Sequence, residues 1–289
     1  MPSFKTVALI GRYNGRKGAD SVAMLGTFLM QCGCHVLLEK DSAEATGVGR
    51  FEIADYAQLG NQADLAVVLG GDGSMLNAAR NLAGFKVPLI GVNQGRLGFM
   101  TDITAGSMLE AMGQVLEGKF SVEDRTLLVA EVVRGGAKTF STIALNDVVV
   151  NKGVVGRLIE FLVHIDDEFV YDLRADGLIV ATPTGSTAYA LSSNGPILQP
   201  TVPGLALVPI CPHTLSNRPI AVSDKSRIEI TLKSAVDALL HFDGQPQVGL
   251  QEGDKVNVRR ADHPIRFVHP PGYSYFAMLR EKLHWSEMY

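Results

Sequence analysis

Residues 69–74, Leu-Gly-Gly-Asp-Gly-Ser, combine the residue types that phosphate chemistry uses. Glycines let a backbone approach a phosphate closely and adopt positive φ. The N–H groups at the start of a following helix point at an anion. Because a carboxylate repels phosphate, Asp72 is better suited to hold a metal ion or to accept a proton from an attacking hydroxyl. We predict Asp72 as the catalytic residue and a phosphate cradle formed by Gly70, Gly71, Gly73 and Ser74.

The glycine-rich turn alone leaves the function open, because short glycine motifs also occur in ordinary tight turns. Two better-known nucleotide signatures are absent from the sequence. No Gly-x-Gly-x-x-Gly follows the first predicted strand, where residues 11–15 read Gly-Arg-Tyr-Asn-Gly, and there is no Gly-Lys-Ser or Gly-Lys-Thr. The sequence therefore argues against an oxidoreductase with the Rossmann fingerprint and against a common P-loop enzyme.

The elements around this turn alternate between strands and helices. Short apolar runs predict buried parallel strands at Thr6–Ile10, His35–Glu39, Asp64–Leu69 and Val87–Val92. Apolar residues at helical spacing predict helices over Ala19–Gln31 and Ser74–Leu82. The turn therefore lies where a strand ends and a helix begins, which is the edge at which open parallel sheets bind ligands.

The pattern changes after about Phe99. One more helix is predicted over Ala105–Glu117, and from Thr126 short strands alternate with turns such as Gly135-Gly136 and Asp243-Gly244. The predicted strands are Leu127–Val133, Phe140–Val150, Ile159–Asp166, Ile228–Leu232 and Lys255–Arg259.

These patterns predict an α/β domain followed by an all-β domain. The first, over residues 1–99, has a Rossmann-like parallel sheet and binds phosphate. The second, over residues 100–274, is mainly β and sandwich-like. Tyr275–Leu283 has helical character, and residues 275–289 are expected to pack back on the first domain after a rigid connector at residues 269–273.

Composition narrows the class of partner. The 289 residues are 46% hydrophobic and 19% charged, which fits a folded globular protein. A net charge of −4 gives no basic balance, so nucleic acid is not an expected partner. With no visible signal peptide and no apolar stretch of ~18 residues, a cytoplasmic protein that does not contact the membrane is expected.

Four segments together resemble the NAD kinase family. The Gly-Gly-Asp-Gly turn is similar to the phosphate motif shared by NAD kinases, diacylglycerol and sphingosine kinases and 6-phosphofructokinases. Residues 145–148 (Leu-Asn-Asp-Val), 176–192 (from Asp-Gly-Leu to Ala-Leu-Ser) and 212–220 (from Pro-His-Thr to Arg-Pro-Ile) resemble NAD kinase segments in the expected order. The chain departs from the family pattern at Asp147, where Glu is frequent, and at Asn194, where many members have Gly.

The resemblance implies transfer of a phosphoryl group from ATP to the 2′-hydroxyl of the adenosine ribose of NAD, giving NADP. It implies a divalent metal ion, normally Mg²⁺, and a dinucleotide bound in the cleft between the two domains. It also implies a homo-oligomer, with a tetramer favoured over a dimer, in which a neighbouring subunit helps to line the NAD site.

Individual roles follow from the same resemblance. Asn146 and Asp147 would hold ribose hydroxyls or the adenine edge, and Tyr189 with neighbouring hydroxyls would hold adenine. Asp176 would contact the nicotinamide half, while Arg174 would contact a phosphate or lie at a subunit boundary. The predicted NAD-binding set is Asp72, Gly73, Asn146, Asp147, Arg157, Arg174, Asp176, Thr187, Ala188, Tyr189, Ser192 and Gln245.

Two other functions fit parts of the pattern. A lipid or sugar kinase would share the Gly-Gly-Asp-Gly turn, but residues 182–192 argue against it. A non-catalytic dinucleotide sensor could lack an activating carboxylate, whereas Asp72 is present. A substrate screen that measures ATP consumption separates an NAD kinase from a lipid or sugar kinase.

Overall fold

The computed structural model describes residues 2–11, 16–95, 98–153, 157–214, 216–235 and 237–285. It divides into two compact units, one formed by Met1–Asp124 with Ile265–Tyr289 and the other by Arg125–Pro264. Among the described residues, no helix combines the length and the apolar character needed to span a bilayer.

The first unit begins with an alternation of strands and helices. Its strands up to residue 125 are β1 Thr6–Gly11, β2 His35–Glu39, β3 Glu52–Ala54, β4 Leu65–Gly70, β5 Leu89–Asn93, β6 Ile103–Thr104 and β7 Ser121–Arg125. Its helices in the same stretch are α1 Arg16–Gln31, α2 Lys40–Thr46, α3 Tyr56–Gln62, α4 Asp72–Leu82 and α5 Met108–Leu116. Every pair among β1 to β6 for which a register is defined runs parallel, as predicted.

Strands β1 and β4 lie at the centre of this sheet and are buried along nearly their whole length. Burial on both faces explains why they appear in the sequence as continuous apolar runs without alternation. Helix α3 and its neighbours α2 and β3 were not predicted, because the two helices have only seven residues each and β3 has only three. A local signal for α3 was present, since Asp55 and Gln58 form a reciprocal capping box at its start.

The domain boundary predicted after residue 99 differs from the division in the structure. Strand β6 pairs in parallel with β5, and α5 buries Met108, Met112 and Val115 in the same core as Val7 and Leu9. Residues 100–124 therefore belong to the first unit. The difference arises because β6 is only two residues long and leaves no periodic pattern.

The second unit contains two six-stranded sheets whose strands pair antiparallel. One has the order β15-β14-β13-β10-β17-β18, with β10 Asp147–Asn151, β13 Gly177–Ala181, β14 Gly204–Ile210, β15 Ile220–Ser223, β17 Leu239–Phe242 and β18 Gln245–Gly249. The other has the order β12-β11-β16-β19-β8-β9, with β8 Leu128–Arg134, β9 Ala137–Ala144, β11 Ile159–Ile165, β12 Glu168–Ala175, β16 Ile228–Ser234 and β19 Lys255–Arg260. A 3-10 turn at Gly185–Thr187 and the short helix α6, Tyr189–Ser192, follow β13.

Alternating apolar residues from both sheets form one core in the second unit, which confirms the sandwich-like prediction. Strand β16, for example, buries Ile228, Ile230 and Leu232 between half-buried neighbours. The single strand predicted over Phe140–Val150 is wrong. Strand β9 ends at Ala144 in one sheet and β10 begins at Asp147 in the other, so the chain changes sheets at residues 145–146.

The end of the chain returns to the first unit. Strand β20, Ile265–His269, lies between β5 and β7 in the parallel sheet, and helix α7 covers Tyr275–Leu283 as predicted. The connector predicted at residues 269–273 therefore begins inside the sheet. His269 accepts or donates a hydrogen bond with Asp102 at 3.0 Å and stacks on Tyr273.

Candidate active site

Asp72 is the first residue of helix α4, directly after β4. The helix starts two residues earlier than the predicted Ser74, with Gly71 in an extended conformation before it. This places the Asp72 carboxylate in the first turn, where the helix dipole favours negative charge. The structure thus puts Asp72 at the strand-to-helix turn that the sequence predicts.

Both oxygens of the Asp72 carboxylate accept hydrogen bonds from a neighbouring loop. The backbone N–H of Phe99 donates to Oδ2 at 2.9 Å, and that of Met100 donates to Oδ1 at 3.0 Å. A carboxylate held by two backbone donors has a fixed plane, while each oxygen keeps lone pairs for further partners. The sequence offered no signal for this contact, because it joins residues that are distant along the chain.

The glycine-rich turn presents open backbone on one side. A methyl group at Gly71 or Gly73 would have no neighbour within 4 Å, so a ligand can approach the backbone there. Gly70 instead packs against the side chain of Ser74, which leaves no room for a Cβ. The Ser74 N–H donates to the Gly71 carbonyl at 2.9 Å and is engaged within the turn.

A second group of predicted residues lies in the other unit, at the corner where the chain changes sheets. Asp243, in the turn between β17 and β18, holds this corner through its carboxylate. Its Oδ1 accepts from the N–H of Asn146 at 2.7 Å and of Asp147 at 3.3 Å, and its Oδ2 accepts from Leu145 N–H at 3.2 Å. The sequence predicted only a turn at Asp243, so its role as an anchor was missed.

The threonine- and glycine-rich segment after β13 supports the same corner. Thr182 donates from its hydroxyl to the Leu145 carbonyl at 2.6 Å, and from its N–H to the Asn146 carbonyl at 2.9 Å. Gly185 packs on the Asn146 backbone, where any Cβ would overlap the carbonyl group. Thr182 and Gly185 therefore fix the backbone of residues 145–146, a role that the resemblance alone did not indicate.

A cavity of about 280 Å³ opens beside this corner. Four of the predicted NAD-binding residues line it, namely Asn146, Asp147, Ala188 and Tyr189. Sequence reasoning missed its other lining residues, which are Val149, Asn151, His241, Asp243 and Gly244. Val149 and His241 are direct cross-strand partners, which brings their side chains to one face of the sheet.

Three of the lining residues carry a polar atom that has no hydrogen-bond partner among the described residues. These atoms are Asn146 Oδ1, Asn151 Oδ1 and His241 Nε2, and all three are shielded from solvent. Because buried polar atoms in folded proteins are almost always paired, this cavity is suited to a ligand that carries its own hydrogen-bonding groups.

Two of the lining residues have shifted acidities. Burial, and then the neighbouring Asp243 carboxylate, raise the pKa of Asp147 to about 7. Asp147 can therefore both donate and accept hydrogen bonds near neutral pH. Burial lowers the pKa of His241, so its neutral ring offers one donor and one acceptor at pH 7.

Tyr189 borders the cavity with 43% of its surface exposed. Partial burial raises its pKa, as do the charges of Cys211, Asp176 and Asp147 in that order. Asp176, a predicted contact of the nicotinamide half, pairs with Lys152 at 2.7 Å.

The remaining predicted residues do not line the cavity. Arg174 pairs with Glu160 at 3.6 Å, and the Thr187 hydroxyl donates to the Thr184 carbonyl at 3.2 Å. Three further predicted residues are exposed and do not line the cavity, namely Arg157, Ser192 and Gln245. Residues 154–156, before Arg157, lie outside the described residues. Asn194 adopts a φ of 62°, which is the left-handed region that the family's glycine would also reach without strain.

Comparison with known proteins agrees with both halves of this arrangement. Residues 7–120 match the model of the ATP-NAD kinase N-terminal domain, and residues 145–270 match that of the C-terminal domain. An NAD kinase from Aromatoleum aromaticum is 55% identical over 285 residues, covering 98% of this chain and 95% of its own.

Solved structures show the same fold. The crystal structure of yeast NADH kinase complexed with NADH has a TM-score of 0.92 at 26% identity, covering 100% of this chain and 90% of that one. An NAD kinase from Archaeoglobus fulgidus in complex with ATP has a TM-score of 0.74 at 24% identity, covering 96% of this chain and 98% of that one. With both of its halves matched by family models and a 55% identical relative spanning nearly its full length, the chain belongs to the NAD kinase family.

Proposed function

We propose that this chain is an ATP-dependent NAD kinase that phosphorylates the 2′-hydroxyl of the adenosine ribose of NAD to give NADP. The observation that carries the proposal is the family match over both halves of the chain, 7–120 and 145–270. The first range contains the Asp72 turn and the second contains the cavity beside Asn146. A lipid or sugar kinase would account for the turn alone, and a sensor would not need the Asp72 carboxylate.

The cavity beside Asn146 is proposed to take the adenosine half of NAD. Asn146 and Asp147 would hold the ribose hydroxyls, since Asn146 Oδ1 is unpartnered among the described residues and Asp147 can donate or accept near pH 7. Tyr189 and Ala188 would contact adenine, a flat base with a polar edge. His241 and Asn151 are added to the predicted set, because each residue lines the cavity and carries a polar atom without a partner among the described residues.

Asp72 is proposed to orient the attacking hydroxyl and to accept its proton. Its fixed carboxylate plane suits this role, because a general base must be positioned before its basicity matters. The open backbone at Gly71 and Gly73 is proposed to accept the phosphates of ATP.

Magnesium is proposed to arrive as the MgATP complex. No group of three or more His, Cys, Asp or Glu side chains suited to a metal ion occurs within the described residues. This fits Mg²⁺, which is usually held by one or two carboxylates together with substrate phosphates. Asp72 is the carboxylate of the glycine-rich turn that would contact it, and the ion would neutralise charge on the transferred group.

The family membership also grounds two further proposals. The enzyme is proposed to be a homo-oligomer, with a tetramer favoured over a dimer and Arg174 at a subunit boundary. It is proposed to act in the cytoplasm. Light scattering coupled to size exclusion measures the first, and a dimer or a monomer at working concentration would contradict the tetramer.

Incubation with NAD, ATP and MgCl₂ tests the proposed function directly. We expect NADP, with phosphorus NMR placing the phosphate on the 2′ position. Diacylglycerol, sphingosine and fructose 6-phosphate, offered in place of NAD under the same conditions, should not consume ATP. Binding of NAD without any product would instead support a sensor.

A further inference from the structure

The loop that holds Asp72 has a glycine at the point of closest approach. Gly98 precedes the two residues whose N–H groups donate to the carboxylate, Phe99 and Met100. A methyl group built at position 98 would overlap the Asp72 carboxylate and would lie 2.6 Å from the hydroxyl oxygen of Thr101. Both contacts are closer than those that real Cβ atoms make, so an alanine at position 98 would displace either the loop or the side chains that it meets.

The loop backbone is not free to make that displacement. Thr101 is fully buried, and its hydroxyl accepts from the Asn93 side-chain amide at 2.9 Å. The same stretch packs on Gly91 of β5, where a Cβ would lie 2.6 Å from the Met100 carbonyl oxygen and 3.1 Å from the Thr101 Cα. The loop is therefore seated directly on the central sheet.

The atoms that a methyl group at position 98 would strike are the outer ends of two side chains. A side-chain end can move by rotation at a smaller cost than a backbone segment anchored on a sheet. The carboxylate of Asp72 would then leave its two backbone donors, while the fold is retained. A substitution at position 98 would therefore move the Asp72 carboxylate without removing it.

We propose that Gly98 is a positioning residue for phosphoryl transfer, because its missing side chain leaves the space in which the Asp72 carboxylate is held. The inference rests on the proposed function, in which Asp72 orients the attacking hydroxyl. Gly98 touches no substrate in this account and acts only through Asp72.

Gly98→Ala tests the proposal, with Gly106→Ala as the matched control. Gly106 lies in the same segment of the first unit, and a methyl group there has no neighbour within 4 Å. We expect Gly98→Ala to lower kcat by roughly 10- to 100-fold, because small misplacements of a catalytic group have effects of that size. The KM values for NAD and ATP should stay within ~3-fold, and Gly106→Ala should match the parent.

A cycle with Asp72→Ala shows whether Gly98 acts through Asp72. Removing the carboxylate removes the overlap with Asp72 and leaves only the close contact with the Thr101 hydroxyl. Gly98→Ala should therefore lower the melting temperature in the parent and lower it by clearly less in the Asp72→Ala background. Residual turnover of Asp72→Ala should not fall further. An added loss in that background would overturn the proposal, as would a Gly98→Ala turnover within ~3-fold of the parent.

Two further outcomes remain informative. If Gly98→Ala does not fold, recovery of folding in the double variant supports the contact, and failure of both overturns it. If the parent makes no NADP at all, the proposed function has failed, while the melting-temperature cycle still decides whether Gly98 provides the space for Asp72.

Discussion

At position 72 one carboxylate has two tasks, since it is proposed to serve catalysis and it also organises a loop. Its oxygens receive the N–H groups of Phe99 and Met100. The sequence predicted the residue and its place at the strand-to-helix turn. It did not predict the loop, because nothing in the local pattern of residues 98–100 indicates a partner so far along the chain.

Asp72→Asn is therefore expected to affect more than turnover. We expect kcat to fall by ~10²- to 10⁴-fold, as when a positioned proton acceptor is lost. The amide also places an NH₂ group against a backbone N–H, so stability should fall by about 1–3 kcal/mol. Initial rates, urea unfolding and NAD titration on one preparation measure these effects. Turnover within ~3-fold of the parent would contradict a general-base role.

Asp147→Asn is expected to change the pH dependence of stability. Burial and Asp243 raise the pKa of Asp147 to about 7 in the fold, whereas the unfolded chain titrates near roughly 4. Between these values the folded protein keeps a proton that the unfolded chain has released, so stability falls as the pH rises. The asparagine variant does not titrate, and its advantage should grow from near zero at pH 4 to at most ~4 kcal/mol above pH 7.

Urea unfolding at pH 5, 6 and 8 measures this difference. Asp262→Asn is the control, because the Asp262 side chain is 81% exposed and should give no such trend. An advantage for Asp147→Asn that is equal at pH 5 and pH 8 would show that Asp147 titrates normally in the fold.

Tyr189→Ala should weaken NAD binding with little effect on stability, since 43% of the side chain is exposed. We expect a loss of roughly 1–3 kcal/mol in binding, as for an aromatic anchor in a binding site. Tyr189→Phe keeps the ring and separates stacking from the hydroxyl. Calorimetric titration with NAD gives both values, and unchanged affinity in the alanine variant would remove Tyr189 from the site.

At the scale of helices and strands, the sequence predicted those elements whose bounds are set by the local pattern of apolar residues. Helix α7 and strand β4 follow from spacing and from an unbroken apolar run, and both were predicted closely. The break between β9 and β10 was not predicted, although the polar pair Asn146-Asp147 interrupts the apolar run there. The Asp243 carboxylate accepts from the Asn146 N–H and the Thr182 hydroxyl donates to the Leu145 carbonyl at that break, and these partners lie far along the chain.

Asp243 is expected to act on NAD binding through this corner. Asp243→Ala leaves the N–H groups of residues 145–147 without their acceptor, so stability should fall by about 1–3 kcal/mol per group left buried and unpaired. The corner should loosen, and the KM for NAD should rise. A loss of ~1.4 kcal/mol in the free energy of NAD binding corresponds to a tenfold rise. Asp243→Asn keeps one acceptor and should fall between the parent and the alanine variant. Equal KM values for the parent and both Asp243 variants would show that the corner at residues 145–147 does not affect NAD binding.

At the scale of the whole molecule, charge limits how the reaction can proceed. The chain has a net charge of −4, and both proposed substrates carry phosphates. We therefore expect excess chelator to abolish NADP formation, because the charge of the transferred group must be neutralised. Added MgCl₂ should restore the rate, and calorimetry should show NAD still bound in chelator. Full turnover without divalent ions would contradict the proposed MgATP substrate.

The position of β20 has a consequence for synthesis on the ribosome. This strand lies between β5 and β7 of the first unit, yet it is made after the whole of the second unit. A nascent chain can thus complete the later unit while the earlier one still waits for its interior strand. A chain interrupted before Ile265 would carry one finished unit beside an open sheet edge at Leu89, where β20 belongs. Unpaired edges of this kind attract aggregation and quality control, so we expect retention of the first unit to depend on the synthesis of β20.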